Sequence, residues 1–220
     1  MRPIPGTPTR IKICGLTREA DVDAAVTAGA DALGFVLYPR SARAVTAERA
    51  GELARRLPPF VTPVLLFVNA DVSLVEEALT ALPHAMLQFH GDETPEDCAR
   101  WQRPFMRAAR MQPGFDLLDY AQQYSQAQAL LLDAHVESYG GAGKVFDWSL
   151  LPPSVPTPVV LSGGLTPANV IDGISQVKPW AVDVSSGVEF AKGIKDAAKM
   201  HQFCQAVRQA DAMRLSSLRP

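Results

Sequence analysis

Short apolar runs alternate with helix-like stretches along nearly the whole chain. The runs cover residues 11–14, 32–38, 63–68, 86–90, 105–109, 127–133, 158–161 and 181–184, and several are rich in Val, Ile, Leu and Phe. Each has the length of a buried strand. Between them, 18–28 carries Ala and Val at three- and four-residue spacing, 47–57 ends at Pro58-Pro59, 72–82 ends before Pro83, and 195–209 makes a long last helix. Thr94 reads as an N-cap with Pro95 in the first helical position and Asp97 in the third, and Thr166-Pro167 repeats the pattern. Strands separated by helices pair in parallel, because parallel neighbours need a crossover of this length. Eight such units within 220 residues predict an α/β fold, a single (β/α)8 TIM barrel. The fifth and sixth helical units are irregular: 116–124 is a weak helix and 134–151 reads mostly as loop. A doubly wound open sheet is the competing architecture, weakened by the absence of a Gly-x-Gly-x-x-Gly turn. The barrel is expected over 10–210, with tails at 1–9 and 211–220.

Composition narrows the function. Hydrophobic residues at 47% and charged residues at 20% describe an ordinary globular domain. A net charge of -2 offers no basic field for nucleic acid, and no run is long enough to span a membrane. Cys14, Cys98 and Cys204 are scattered, odd in number and without metal-type spacing, which suggests reduced thiols in a cytoplasm. The expected partner is a small phosphorylated molecule, on the strength of the glycine-serine loops after the last two runs, bound by a monomer or homodimer.

Polar residues interrupt the runs at their C-terminal ends, the face of a parallel barrel that carries chemistry. These ends present Cys14, Tyr38, Asn69, Gln88 with His90, Arg107, Asp133, Ser162 and Asp183. Alternation puts Ile11 and Ile13 toward the helices and Lys12 and Cys14 inside; Asp133 shares a face with Leu131, and Gln88 with His90. A thiol and a carboxylate then meet over one pocket. Each residue also has a plainer reading: Cys14 a small buried hydrophobe, Asp133 a cap or ion-pair partner, His90 a structural histidine. Ser162-Gly163-Gly164 and Ser185-Ser186-Gly187 follow the last two runs, where barrels bind phosphate on backbone N–H groups. Arg43 is either a clamp for a substrate carboxylate or a solvated arginine. Residues 139–144 lack the first Gly and the Ser/Thr of a Walker A loop and read as a lid.

Taken together, these segments resemble the phosphoribosylanthranilate isomerases of tryptophan biosynthesis. The resemblance runs through Lys12-Ile13-Cys14-Gly15-Leu16-Thr17, Gly34-Phe35-Val36, Tyr38-Pro39-Arg40-Ser41-Ala42-Arg43 and Leu87-Gln88-Phe89-His90-Gly91-Asp92. It continues in Gly140-Gly141-Ala142-Gly143-Lys144, Phe146-Asp147-Trp148, Leu161-Ser162-Gly163-Gly164-Leu165 and Asp183-Val184-Ser185-Ser186-Gly187-Val188-Glu189. Phe89 stands where the family commonly has leucine. The resemblance implies an Amadori rearrangement with Cys14 as general base and Asp133 as general acid, and it implies that no metal and no organic cofactor take part. It puts Arg43 on the anthranilate carboxylate and the Gly163-Gly164 and Ser185-Ser186-Gly187 loops on the phosphate. Gln88, His90, Ser162 and Asp183 complete the expected binding set. Rival readings are a sibling isomerase of histidine biosynthesis, which uses two carboxylates, a non-catalytic phosphate-ligand barrel, and a thiol redox protein, which lacks a Cys-x-x-Cys pair.

Overall fold

A computed structural model describes residues 7–134 and 147–216. Eight parallel strands close in chain order, with the last pairing the first: β1 (Arg10–Cys14), β2 (Ala32–Val36), β3 (Thr62–Phe67), β4 (Met86–Phe89), β5 (Phe105–Met111), β6 (Ala129–Ala134), β7 (Val159–Leu161) and β8 (Ala181–Val184). Closure excludes the open sheet. Helices α1 (Glu19–Ala28), α2 (Ala47–Ala54), α3 (Val72–Ala81), α4 (Pro95–Ala99), α5 (Leu117–Gln123), α6 (Val170–Val177) and α7 (Ala197–Ser216) lie outside.

The strand alternation sorts two cores. Ile11, Ile13, Leu130 and Leu132 join a cluster with helix residues such as Val22, Leu53, Val75 and Phe203. Val64, Met106, Ala108, Leu131 and Val160 form a separate cluster drawn almost wholly from strands, which fills the barrel's interior. The interior is therefore plugged across its middle, and above the plug a mouth opens over Cys14, Val36, Leu66 and Val68 at the C-terminal ends of the strands.

The structure departs from the sequence reading in several places. The fifth unit is a regular helix after all. Asp116 accepts from the N–H groups of Leu118 and Asp119, and the Tyr120 and Tyr124 hydroxyls donate to the carbonyls of Ala108 and Glu93. Long-range bonds of that kind leave no trace in local periodicity. In the sixth unit the described part holds a short 3-10 turn at Trp148–Leu150. Thr94 caps α4 in a full capping box, as its pattern predicts. Thr166 does not open α6: the helix begins three residues after Pro167, and Asn169 Oδ1 accepts from Thr166 N.

Lys195 belongs not to the last helix but to a hairpin of β9 (Glu189–Ala191) and β10 (Ile194–Lys195) that follows β8. At its far end α7 runs beyond Gln209 to Ser216. Buried Asp211 accepts from both the backbone N and the Oγ1 of Thr9, at 2.9 and 2.7 Å, and Arg214 donates to the carbonyl of Thr7. The described parts of the two expected tails are thus tied to each other under the barrel.

Candidate active site

Lys12 and Cys14 both point into the barrel from β1. The β1–β8 register puts Lys12 beside Asp183, and their side chains form a buried ion pair at 2.7 Å. The Lys12 ammonium also lies close enough to Cys14 for each to act on the other's charge. Room for this comes from β2: Cys14 is in register with Gly34, where a Cβ would stand 2.6 Å from Sγ and 3.1 Å from Lys12 Nζ. Burial pushes the Cys14 thiol above its ordinary pKa, with Lys12 and Lys195 pulling it back. Burial also works against the Lys12 ammonium, but Asp183 and Cys14 together carry its pKa above the usual lysine value. Asp183 spends its other oxygen on the Ser162 hydroxyl, at 3.1 Å.

Across the mouth, Asp133 is the next-to-last residue of β6, on the same face as Leu131. Its Oδ2 lies 3.1 Å from His90 Nε2, and His90 Nδ1 lies 3.1 Å from Gln88 Nε2. A Gln88 NH2 donates to Nδ1, which puts the proton of a neutral imidazole on Nε2, facing Asp133. Gln88 Oε1, fully buried, has no partner among the described residues.

Past β7 and β8 the chain bares its backbone. Gly163 and Gly164 take positive φ of 78° and 67°. The N–H groups of Gly163, Gly164, Ser185 and Ser186 donate to no acceptor of the described residues, which makes the two loops a concave set of donors for an anion. The loops touch at Gly187, where a Cβ would run into the Leu165 carbonyl oxygen.

Arg43, in the turn after β2, packs its stem over Gly15 and gives Nε and Nη2 to Glu189 at 2.6 and 2.8 Å. Lys195 Nζ joins the same carboxylate at 3.0 Å.

One pocket collects these groups. Cys14, Asp133, His90, Gln88, Arg43, Asp183 and Ser162 line it, with Gly163, Gly164, Ser185, Ser186 and Tyr38. It holds about 750 Å³ of free space, part of it open to solvent, within the range of small-ligand sites. Gly187 does not line it; its part is the contact between the loops. Arg107 also stands elsewhere: with Met106 and Ala108 inside, it faces outward and donates to the carbonyls of Phe89 and Gly91. Asn69 braces Asp92 outside the pocket. The lid expected over 139–144 lies outside the described residues. Sequence reasoning missed Glu189 and Lys195 as functional candidates; an acid and a lysine directly after a phosphate-type loop were the available signal.

Fold and site together define a β/α-barrel enzyme with a thiol and a carboxylate over one small-molecule pocket. A family model, N-(5'-phosphoribosyl)anthranilate (PRA) isomerase, matches residues 11–206. The chain belongs to this family of isomerases. An N-(5'-phosphoribosyl)anthranilate isomerase of Leptothrix cholodnii is 70% identical over 204 residues, covering 93% of this chain and 93% of the relative. The phosphoribosyl anthranilate isomerase structure from Thermotoga maritima superposes with a TM-score of 0.84 at 38% identity, covering 91% of this chain and 99% of that one. A structure of the enzyme in complex with reduced 1-(o-carboxyphenylamino)-1-deoxyribulose 5-phosphate gives a TM-score of 0.81 at 36% identity, with the same coverage of both chains.

Proposed function

We propose that Cys14 is the general base and Asp133 the general acid of an Amadori rearrangement. The reaction turns N-(5-phosphoribosyl)anthranilate into 1-(2-carboxyphenylamino)-1-deoxyribulose 5-phosphate for tryptophan biosynthesis. The observation that carries this reading is a single pocket lined by the thiol, the acid and the unpaired N–H groups of two glycine-serine loops.

Asp133, protonated, gives its proton to the ribose ring oxygen as the C1–O bond breaks. The anthranilate nitrogen supplies the electron pair and becomes an iminium, which acidifies the hydrogen on C2. Cys14 removes that hydrogen as a thiolate, and the electrons return to nitrogen in an enolamine. The enolamine takes a proton at C1 and releases the C2 hydroxyl proton to give the ketone. The substrate's own nitrogen is the electron sink. Lys12 lies where it stabilises the thiolate, offsetting the burial that opposes it.

Arg43 takes the substrate carboxylate and the backbone cradle its phosphate, with Ser162 and Ser185–Ser186 at its rim. Gln88 and His90 bear on the sugar and on Asp133. Three buried free thiols accord with a reducing cytoplasm. Among the described residues, no helix is long and apolar enough to cross a membrane. The test is loss of phosphoribosylanthranilate fluorescence with purified protein, together with rescue of a tryptophan auxotroph. No consumption and no rescue would reject the reading.

A further inference from the structure

We infer that Glu189 is a positioning residue for substrate recognition: it clamps one edge of the Arg43 guanidinium and presents the other edge to the carboxylate on the substrate's aromatic ring. The inference rests on the role given to Arg43 above. Glu189 takes the Nε and Nη2 hydrogens in a bidentate pair, leaving Nη1 and the second Nη2 hydrogen, a fork of the right shape for another carboxylate. Arg43 is nine-tenths buried along its side chain and still lines the pocket. A long, flexible side chain fixed in this way has lost its rotamer freedom before the ligand arrives, which lowers the entropic cost of binding.

The anchor itself is held from several sides. Lys195 Nζ bonds Glu189 Oε1 and the Ser185 carbonyl, each at 3.0 Å. Lys199 donates to the Glu189 carbonyl, and Thr17 Oγ1 to that of Gly193, both at 2.8 Å. Gly193, at φ 77°, turns the hairpin so close to the loop after β2 that a Cβ would meet the Ala42 oxygen at 2.8 Å. The hairpin therefore locks onto the segment that carries Arg43. Two cations, Arg43 and Lys195, share one Glu189 carboxylate, so the cluster keeps a surplus positive charge beside the pocket for an incoming anion. Burial works against the Glu189 carboxylate, but Arg43 and Lys195 hold its pKa below the usual value.

Kinetics of Glu189→Gln, Arg43→Ala and the double variant, on phosphoribosylanthranilate and on phosphoribosylaniline, which lacks the carboxylate, form the test. Glu189→Gln is expected to raise KM for the anthranilate compound about tenfold with kcat nearly unchanged, and to leave the aniline compound's KM alone. In the Arg43→Ala background it should add nothing. An equal rise on both substrates, an unchanged or lowered KM, or full additivity with Arg43→Ala would overturn the inference while leaving Arg43's own role intact. If Arg43→Ala by itself left KM unchanged, the assignment of Arg43 would fall and the inference with it. Should Glu189→Gln not fold, Glu189→Asp, which keeps the charge but draws it back by one methylene, must show the same carboxylate-selective rise.

Discussion

His90 Nε2 stands 3.1 Å from Asp133 Oδ2, with Gln88 behind it on Nδ1. The imidazole fixes one oxygen of the proposed acid, which lines the pocket. Removing it frees the carboxyl to rotate, and misplacement of a catalytic group by about 1 Å costs on the order of 10²-fold. His90→Ala is expected to lower kcat by roughly that factor, with KM changed much less. Steady-state kinetics on the folded variant decide it, and an unaltered kcat would leave His90 as a mere structural histidine.

The proposed acid and base have simpler tests. Cys14→Ala and Asp133→Asn should each cut turnover by roughly 10²–10⁴-fold and leave affinity for a phosphate-bearing product analogue nearly intact. Calorimetric titration of the analogue against both variants separates lost chemistry from lost binding. Near-normal turnover in either variant would withdraw the role assigned to that residue.

Lys12 gives a pH signature. Burial raises the Cys14 thiol, and Lys12 opposes that rise. A thiolate base makes the rate climb with pH, and removing the cation should push the climb to higher pH. Lys12→Met/Asp183→Asn, which also neutralises the partner, is expected to lose rate near pH 7 and to approach the parent at the alkaline end. Lys12's own folded pKa is raised. Its contribution to stability is therefore fully present below the ordinary lysine value and is lost only as pH rises through the folded one. The variant lacks that stability equally from pH 7 up to the ordinary lysine value, so recovery of its rate over this range is a catalytic effect. A pH–rate profile with an unmoved rising limb would take Lys12 out of the mechanism.

Gly187 is a packing prediction. A Cβ there would strike the Leu165 carbonyl oxygen, so Gly187→Ala must push the two anion-binding loops apart. It is expected to raise the Kd for inorganic phosphate and to lower the melting temperature by a few degrees, the consequence of about 1 kcal/mol or more of strain. Phosphate titration and thermal unfolding check both, and unchanged values would mean the loops separate freely.

Much of the barrel could be read from the chain. Eight apolar runs with helices between them are a local signal, and alternation along β1 placed Lys12 and Cys14 inside from Ile11 and Ile13 alone. The same rule, carried along β5 from Met106 and Ala108, sends Arg107 outward; treating every polar residue at a strand end as part of the mouth put it on the wrong side. The helix after Asp116 was hard to see because its two tyrosines are anchored outside the helix, by the carbonyls of Ala108 in β5 and of Glu93 in the loop after β4. The length of α7 was hidden for a similar reason, since Asp211 looks like a surface residue until Thr9 is beside it.

Sequence alone determined which side chains face inward and which loops are glycine-rich, because those properties follow from periods of two residues along a strand and from the backbone freedom of glycine. Tertiary structure decided who partners whom: Lys12 with Asp183, Asp133 with His90, Arg43 with Glu189. Each pair spans from 43 to 171 positions of chain, and barrel closure alone brings such groups within reach of a hydrogen bond. Charges that look free along the sequence are in the folded molecule already committed, and what remains uncommitted is what a substrate meets.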